Sequence, residues 1–332
     1  MFNYILRRLL ISVVLLFFIA ATSFFIIQLP PGDFASSYKQ FLIQTAQLSE
    51  DKAEEMTQLY REQNGLDQPV PIQFLYWIKG IVTEGKFGYS FAYRTDAGEI
   101  ILDRLPKTFM LAICAHLISS VVGILLGIYV APRQYGWADN ILAVIAFFLT
   151  SIPRFFMALV IMYWLVHVMK QEDVGSFFSF NYAVAPWSWG KFVDLLKHIW
   201  PVILVAGLGG VSRNMRVMRA NMLDVLNAQY VTTARAKGLT ERQVMNRHAV
   251  PNALHPIIGY QGTVLPYMIQ GELEVTIVML IPSLGPIFQR ALTSQDIYLS
   301  GGILLTIAAL VIFGNLISDL FLAVLDPRIR YS

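Results

Sequence analysis

Long apolar stretches restrict the fold of this chain more than any other feature of its sequence. Of the 332 residues, 56% are hydrophobic and only 14% are charged. About 20 apolar residues are needed to cross roughly 30 Å of hydrocarbon, and a helix satisfies its own backbone groups there. We therefore expect an all-α integral membrane protein with six transmembrane helices. The six apolar runs are Leu9–Leu29, Thr108–Ala131, Ile141–Met169, Ile199–Met218, Ile257–Ile281 and Ile303–Leu325.

The fourth run is the shortest, because Arg213 ends its charge-free part. We expect Arg213, Arg216 and Arg219 to complete the crossing by snorkelling, with their stems in lipid and their guanidinium groups at the headgroup layer. If the fourth run spans the membrane, the basic parts of the chain all lie on one side of it. By the distribution of Lys and Arg, that side and both termini are expected to be cytoplasmic. Its basic residues are Arg7, Arg8, Arg133, seven residues from Arg213 to Arg247, Arg328 and Arg330.

The segment 30–107, called the polar segment below, is too polar to cross a membrane and is expected outside. Ser49–Asn64 resembles a capped amphipathic helix, with acidic residues in its first turn. Asp67–Tyr89 alternates Pro, aromatic and Gly residues, which predicts a compact cap near the membrane. Tyr76 and Trp77 are expected to lie in the interface.

The domain division follows from these elements. Residues 1–107 are predicted to form the first helix and the polar segment, 108–325 a domain with the other five membrane helices, and 326–332 a cytoplasmic tail. Leu9–Leu29 follows two arginines as a signal peptide would, but it is too long and lacks a small-residue cleavage site. We interpret it as a retained anchor.

The chain carries no recognisable catalytic motif. Gly85-Lys86 and Gly190-Lys191 are each followed by Phe, so neither completes a phosphate-binding loop. Zinc-binding H-E-x-x-H and nucleophile G-x-S-x-G sequences are also absent, and the five His residues are scattered. The sequence therefore predicts no enzyme and no metal site.

Tyr230–Leu254, called the basic loop below, is a helical and strongly basic segment inside this apolar chain. Gly238 stands where a first short helix would end, and Thr240 with Gln243 has the capping-box spacing that starts a second. Pro251 is expected to break the helical pattern, and Pro256 to open the fifth span. Two short helices joined at Gly238 are the prediction.

One face of the first short helix is small and aromatic. Leu226, Tyr230 and Ala234 recur every four residues, which predicts a common face, while the charged residues lie on others. Two interpretations follow from charge alone: contact with anionic lipid, or docking of another protein.

At these residues the sequence closely resembles the dipeptide/oligopeptide/nickel branch of ABC-importer permeases, and the resemblance extends over nearly the whole chain. Each motif is short, but their order is specific. The matching motifs are Tyr4-Ile5-Leu6-Arg7-Arg8-Leu9, Gly65-Leu66-Asp67-Gln68-Pro69, Phe87-Gly88-Tyr89-Ser90, Ser151-Ile152-Pro153, the run from Tyr230 to Leu239 with Arg247-His248 and Asn252-Ala253-Leu254, and Leu325-Asp326-Pro327-Arg328-Ile329-Arg330-Tyr331.

The resemblance implies a type I importer transmembrane fold and a coupling segment at about 227–254. In that family the helix matching about 227–237 fits into a groove on a cytoplasmic ATPase, and the glycine matching Gly238 ends it. ATP-driven movement of the ATPases then switches the pathway between inward and outward access. The residues implied in ATPase coupling are Tyr230, Thr233, Ala234, Arg235, Lys237, Gly238, Arg242 and Asn252.

The resemblance also implies the partners. These are a second permease subunit, two cytoplasmic ABC ATPases and an extracytoplasmic solute-binding protein, in a bacterial or archaeal plasma membrane. ATP and Mg would bind to the ATPases and no cofactor to this chain; lipid surrounds it, and no nucleic acid is expected. Short peptides are the expected cargo, with oligosaccharides or another small solute as the alternative.

Three charges fall inside predicted spans and are candidates for the translocation pathway. Arg154 lies in the third run, and Glu272 and Glu274 lie in the fifth, where the family pattern has a single acid in a different register. A charge at mid-membrane costs roughly 3 kcal/mol or more, so such groups face water or one another. Either Arg154 pairs with an acid to lock helices, or these residues line the pathway.

Two other classes of membrane protein compete with the importer. A channel is disfavoured because only three arginines recur every third residue and no selectivity-filter sequence is present. An ion-coupled secondary transporter would suit six spans with intramembrane acids. We expect it to need paired broken helices in two similar halves, which the sequence does not indicate, and it would not need a docking loop.

Overall fold

The computed structural model describes residues 2–171 and 173–325, with side chains for 6–171, 173–261, 264 and 267–316. The predicted tail 326–332, with Arg328 and Arg330, lies outside the described residues. The helices are α1 (Phe2–Ile27), α2 (Phe34–Gln44), α3 (Glu50–Gln63), α4 (Val70–Glu84), α5 (Ala97–Val130), α6 (Trp137–Ser151), α7 (Arg154–Tyr163), α8 (Phe180–Ala183), α9 (Trp189–Leu226), α10 (Gln229–Ala236), α11 (Glu241–Val244), α12 (Val250–Met279), α13 (Leu284–Thr293) and α14 (Ile297–Leu325).

Helix dominates the described residues, as the apolar runs predict. Strands β1 (Tyr89–Ser90) and β2 (Thr95–Asp96) form one short antiparallel hairpin. Within the described residues, four helices are long and apolar enough to span a membrane, and the count is six if each of two bent helix pairs forms one span. The predicted all-α class with six spans is confirmed.

The third span differs from the single helix that we expected. It consists of α6 and α7, which meet at a 97° bend. Pro153 has no N–H to donate, and it holds Ile152 in extended backbone with ψ 127°. Arg154 is consequently the first residue of α7.

The fourth span is one continuous helix of 38 residues, and its arginines lie inside it. The expected snorkelling is wrong for two of them, because their guanidinium groups contact other helices. Arg219 forms an ion pair with Asp139 of α6, and Arg213 stacks over the ring of Tyr267 of α12 at 4.6 Å. Arg216 is exposed.

The described residues cluster into two compact units. The first joins 1–107 with 283–312, and the second joins 108–282 with the residues from 313 onward. The predicted division into 1–107, 108–325 and 326–332 stays a prediction.

In the first unit the polar segment is helical, and α3 occupies the stretch predicted for it. Trp77 is not at an interface: it is 4% exposed, stacks on Phe24 at 5.2 Å between ring centroids, and donates its indole N–H to the carbonyl of Phe87 at 2.7 Å. Tyr76 is 68% exposed. The two neighbours point about 100° apart on α4, one inward and one outward, so only Tyr76 fits the expected position.

Two carboxylates fix the ends of elements in the first unit. Asp33 caps α2 by accepting the Ser36 N–H at 2.8 Å, and it accepts the Nε of Arg61 from α3 at 2.8 Å. Asp296, which is fully buried, accepts the Ser90 hydroxyl of the hairpin at 2.7 Å. Burial raises the pKa of Asp296 above its ordinary value, although these hydrogen bonds act in the opposite direction.

The core of the second unit lies between α5, α7, α9 and α12. Small residues let α5 approach α9 closely: a Cβ at Gly123 or Gly127 would lie 2.6 Å from the Cβ of Asn214 or Met218. Arg154, Arg213 and Tyr267 are held by the helices that contribute to this core. Its fully or nearly fully buried residues include Leu111, Ala115, Ala158, Val202, Ala206, Val264 and Met268.

Candidate functional site

The basic loop contains the two short helices that the sequence predicts. The first, α10, ends at Ala236, and Gly238 then adopts φ +81°, a left-handed conformation that favours glycine. Thr240 and Gln243 form the predicted capping box at the start of α11, since each side chain accepts the other residue's backbone N–H. The local turn chemistry of the loop is confirmed.

The loop has a small apolar core of its own. Val231, Ala234 and Val244 are buried against one another, with Val225 and Leu239 beside them. These contacts tie α10 to α11 and to the end of α9. Burial of apolar surface therefore gives the loop a defined shape in the chain alone.

The predicted face of Leu226, Tyr230 and Ala234 does not form. Leu226 is the last residue of α9, and the chain changes direction at Asn227 and Ala228 before α10 begins. Tyr230 is 45% exposed, whereas Ala234 is 5% exposed and faces the inner cluster. The side chain of Ala234 is thus covered by its own chain and offers no outward contact.

The outer surface of the loop is polar and basic. Thr233, Lys237 and Arg242 are exposed, and neither basic residue forms an ion pair within the described structure. Arg235, one of the residues implied in ATPase coupling, pairs with Glu241 of its own chain at 2.8 Å. Asn252 donates to the His248 carbonyl at 2.6 Å. Within the described structure, the exposed basic residues of the loop that form no ion pair are Lys237, Arg242 and Arg247.

Pro251 does not break the helix, contrary to expectation. The chain continues from α11 through a π turn at Met245–Ala249 into α12, and both Pro251 and Pro256 lie inside the helical stretch. A π turn widens the backbone next to the proline ring, which relieves the clash that a regular helix would impose. The fifth span therefore begins as a direct extension of the basic loop.

A cavity of about 840 Å³ lies beside the loop. Its walls come from the C-terminal end of α5, the end of α9 and the start of α11. Arg133, Arg235 and Arg242 line it together with Glu241, and leucine and isoleucine side chains complete it. This concave surface is both basic and apolar.

The first candidate pathway residue, Arg154, stacks on Tyr267 with its Cζ 3.9 Å from the ring centroid. Its Nη2 is buried and has no hydrogen-bond partner among the described residues, and no carboxylate there pairs with its guanidinium group. A Cβ at Gly271 would lie 2.5 Å from Nη1. Gly271 therefore provides the space that the guanidinium group occupies.

The two acidic candidates have different surroundings. Glu272 is fully buried in α12, and Glu274 is half-buried. The different exposure agrees with the angle of about 200° between them on a helix. Neither forms an ion pair with Arg154, so the two open interpretations of these charges stay predictions.

Two residues of the second unit were not singled out from the sequence. Tyr267 lies between α7 and α9 and contacts two arginines. Asp139 is 3% exposed and accepts two hydrogen bonds from Arg219, each 2.6 Å long. A lone acid at the start of an apolar run is a signal that would have found Asp139, because a buried carboxylate requires a partner.

Known proteins match this chain along nearly its whole length. A family model described as the binding-protein-dependent transport system inner membrane component matches residues 123–331, and a model for the N-terminal part of such components matches 1–112. The oligopeptide transport system permease protein AppB of Bacillus subtilis (strain 168) is 31% identical over 99% of both chains. A putative peptide permease protein of Brucella ovis is 32% identical over 100% of both.

The fold is also found among solved structures. The inward-facing MetNI methionine ABC transporter aligns with a TM-score of 0.50 and 16% identity, over 68% of this chain and 96% of that one. At this identity the similarity concerns the fold alone. It places the helices described above in a known transmembrane architecture.

Proposed function

Because the chain belongs to the family of binding-protein-dependent transport system inner membrane components, we propose that it is the permease subunit of an ABC importer for short peptides. The family matches, which together extend over residues 1–112 and 123–331, carry this conclusion. It is a multi-pass protein of the inner membrane that works with other subunits of the transporter. The peptide cargo is supported by the relatives named as oligopeptide and peptide permeases, which match over 99% of the chain or more.

The secondary transporter has less support. The structure contains two helix pairs with a short break, so broken helices alone do not distinguish such a transporter from an importer. The family match over both parts of the chain decides between the two classes. A permease of this family obtains its driving force from ATP that is hydrolysed in other subunits, so it needs no catalytic motif of its own.

The basic loop is the part of the chain proposed to dock on an ATPase. Its inner cluster holds α10 and α11 together, and its outer surface presents Tyr230, Thr233, Lys237 and Arg242. Lys237 and Arg242 have no acidic partner within the described chain, so acids of another subunit would complement them. ATP and Mg would bind in that subunit. This arrangement requires the loop and both termini to be cytoplasmic.

The remaining partners follow from the same proposal. Two ATPases, a second permease that differs from this chain, and a solute-binding protein on the outer side would complete the importer. A heteromeric pair of permeases explains how one asymmetric path could be built from two related halves.

Purification from native membranes tests this composition first. The tagged chain would be extracted in detergent, the co-purifying proteins identified by mass spectrometry, and ATP hydrolysis measured on the eluate. Recovery of an ATPase and a second permease is expected. A chain that purifies alone and drives peptide uptake from an ion gradient would overturn the proposal.

The docking surface needs a test that leaves the loop folded. We expect Lys237→Glu with Arg242→Glu to reduce ATP-coupled peptide uptake without lowering expression or the melting temperature, because both side chains are exposed. The matched control is Lys52→Glu, an exposed lysine of α3 that forms no ion pair within the described structure. Normal coupled uptake in the double variant would contradict docking through these residues.

A further inference from the structure

The ring of Tyr267 is contacted by two guanidinium groups in the membrane-spanning part of the second unit. The Cζ of Arg154 lies 3.9 Å from the ring centroid and the Cζ of Arg213 lies 4.6 Å from it. Cation–π contacts stabilise each charge in part. They do not neutralise two like charges that are gathered at one ring, and the described structure pairs neither arginine with a carboxylate.

The group has unused hydrogen-bonding capacity. A guanidinium carries five N–H donors in a fixed planar fork, and Nη2 of Arg154 is buried without an acceptor among the described residues. Arg154 and Arg213 as whole residues are half-buried, so part of each side chain remains exposed although Nη2 of Arg154 is not. The group therefore combines positive charge, an unpartnered donor and partly exposed side chains.

The surrounding backbone makes room for the guanidinium group of Arg154. A Cβ at Gly271 would lie 2.5 Å from Nη1, and a Cβ at Gly209 would lie 3.7 Å from Nη2 and 3.1 Å from the Tyr267 hydroxyl. Two glycines on α9 and α12 thus border one cationic group. Any side chain at Gly271 would displace it.

The break in the third span adds to the positive potential. Arg154 is the first residue of α7, and the 97° bend means that the axis of α7 does not continue the axis of α6. The third span therefore has a helix N-terminus in its interior. Helix N-termini attract anions, and discontinuous helices in transporters use such ends for anionic groups of the substrate. Here the helix end and two arginines favour the same sign of ligand charge.

We propose that Arg154, Arg213 and Tyr267 form a site that binds the C-terminal carboxylate of the peptide cargo during transport. This inference rests on the proposed function. The planar fork of arginine matches a carboxylate with two parallel hydrogen bonds. Every unmodified peptide carries this carboxylate whatever its sequence, so the site recognises peptides as a class without reading their side chains.

The test compares a short peptide with its C-terminal amide, using the complete importer with its ATPases, second permease and binding protein in liposomes. Uptake of each peptide is measured at subsaturating concentration for the wild type, Arg154→Gln and Arg154→Lys. The preference for acid over amide is the ratio of the two rates. Selection by the binding protein is the same in every complex, so it cancels when the ratios are compared.

We expect Arg154→Gln to reduce the preference for the acid about tenfold, which is the effect of losing a charge-assisted hydrogen bond. Arg154→Lys should retain part of the preference, and Arg213→Gln should lower it also. Arg216→Gln is the matched control, because Arg216 is exposed on α9 one turn away. Its preference should equal that of the wild type.

Three results would overturn the inference. In the first, both uptake rates and the preference are unchanged in Arg154→Gln and in Arg213→Gln. In the second, uptake of acid and amide falls equally, as it would if an acid of another subunit were the partner of these arginines. In the third, the wild-type complex imports neither peptide, and the proposed function then fails with it. Peptide import by the wild type with either of the first two results leaves the proposed function intact.

Discussion

The ion pair between Asp139 and Arg219 connects the start of α6 to α9 close to the basic loop, and its removal should be costly. Both carboxylate oxygens of Asp139 accept hydrogen bonds of 2.6 Å from Arg219, and Oδ2 also accepts the Tyr135 N–H at 2.9 Å. The side chain of Asp139 is 4% exposed and that of Arg219 is 27% exposed. Asp139→Asn keeps the shape, removes the charge and turns an amide NH₂ toward an arginine donor.

The magnitude follows from this geometry. Breaking a buried pair by removing one partner costs about 3–5 kcal/mol, because the remaining charge is left without compensation. Arg219 is about a quarter exposed and keeps some hydration, so we expect about 2–4 kcal/mol for Asp139→Asn. Arg219→Gln should cost a similar amount. The double variant should lose no more than about 1 kcal/mol beyond either single variant, since the interaction can be lost only once.

The free energy of unfolding would be measured for the four proteins in mixed detergent micelles. Arg216→Gln serves as the control and should change stability by no more than about 0.5 kcal/mol, as is usual for an exposed site. If the two single effects add within about 0.5 kcal/mol, the two side chains do not interact energetically and the reasoning is refuted.

Three further predictions concern the basic loop and the polar segment. Gly238→Ala should destabilise the loop by about 1 kcal/mol, because φ +81° is strained for alanine although the space around Gly238 is open. Faster amide exchange in α10 and α11 is the expected result. Amide protection equal to that of the wild type would contradict this prediction. Ala234→Glu should unfold the loop, because it places a carboxylate in the apolar cluster of Val231, Ala234 and Val244. Thr233→Glu, on the exposed side of α10, should leave amide protection unchanged. Equal amide exchange in the two variants would contradict the burial of Ala234 in this cluster. Burial raises the pKa of Asp33, but hydrogen bonds from Arg61 and Ser36 outweigh it and hold the pKa below the ordinary 3.8. The ionised Asp33 therefore stabilises the fold fully above pH 3.8, and this stabilisation is lost as the pH falls through the lower pKa of the folded state. Proteolysis of α2 and α3 should accelerate below about pH 4 in the wild type, and Asp33→Asn should remove this acid dependence. The same acid response in both proteins would exclude Asp33 as its cause.

Local signals in the sequence were sufficient for several elements. The apolar runs predict the number of spans, because every crossing needs the same length of hydrocarbon-compatible helix. Gly238, Thr240 and Gln243 predict the two helices of the basic loop, since turn and capping chemistry acts within a few residues. These predictions do not depend on which helices pack against one another.

The errors concern residues whose surroundings come from distant parts of the chain. Ala234 was placed on an outward face because a single helical axis was assumed through Leu226, and the turn at Asn227 invalidates that period. Trp77 is covered by Phe24, which lies 53 positions earlier in the sequence. The break before Arg154 could have been predicted from Ile152-Pro153, but its contact with Tyr267 could not, because no local pattern joins α7 to α12.

The length of α9 has a mechanical consequence. Its 38 residues correspond to about 57 Å of continuous helix, nearly twice the thickness of the hydrocarbon layer. Pro201 removes one backbone hydrogen bond near the first third and leaves about 38 Å of helix between itself and Leu226. A tilt of about 10° at this proline would move the far end, and the basic loop attached to it, by about 7 Å. Because α9 is continuous beyond Pro201, a small change of helix direction at this residue would produce a much larger displacement of the basic loop.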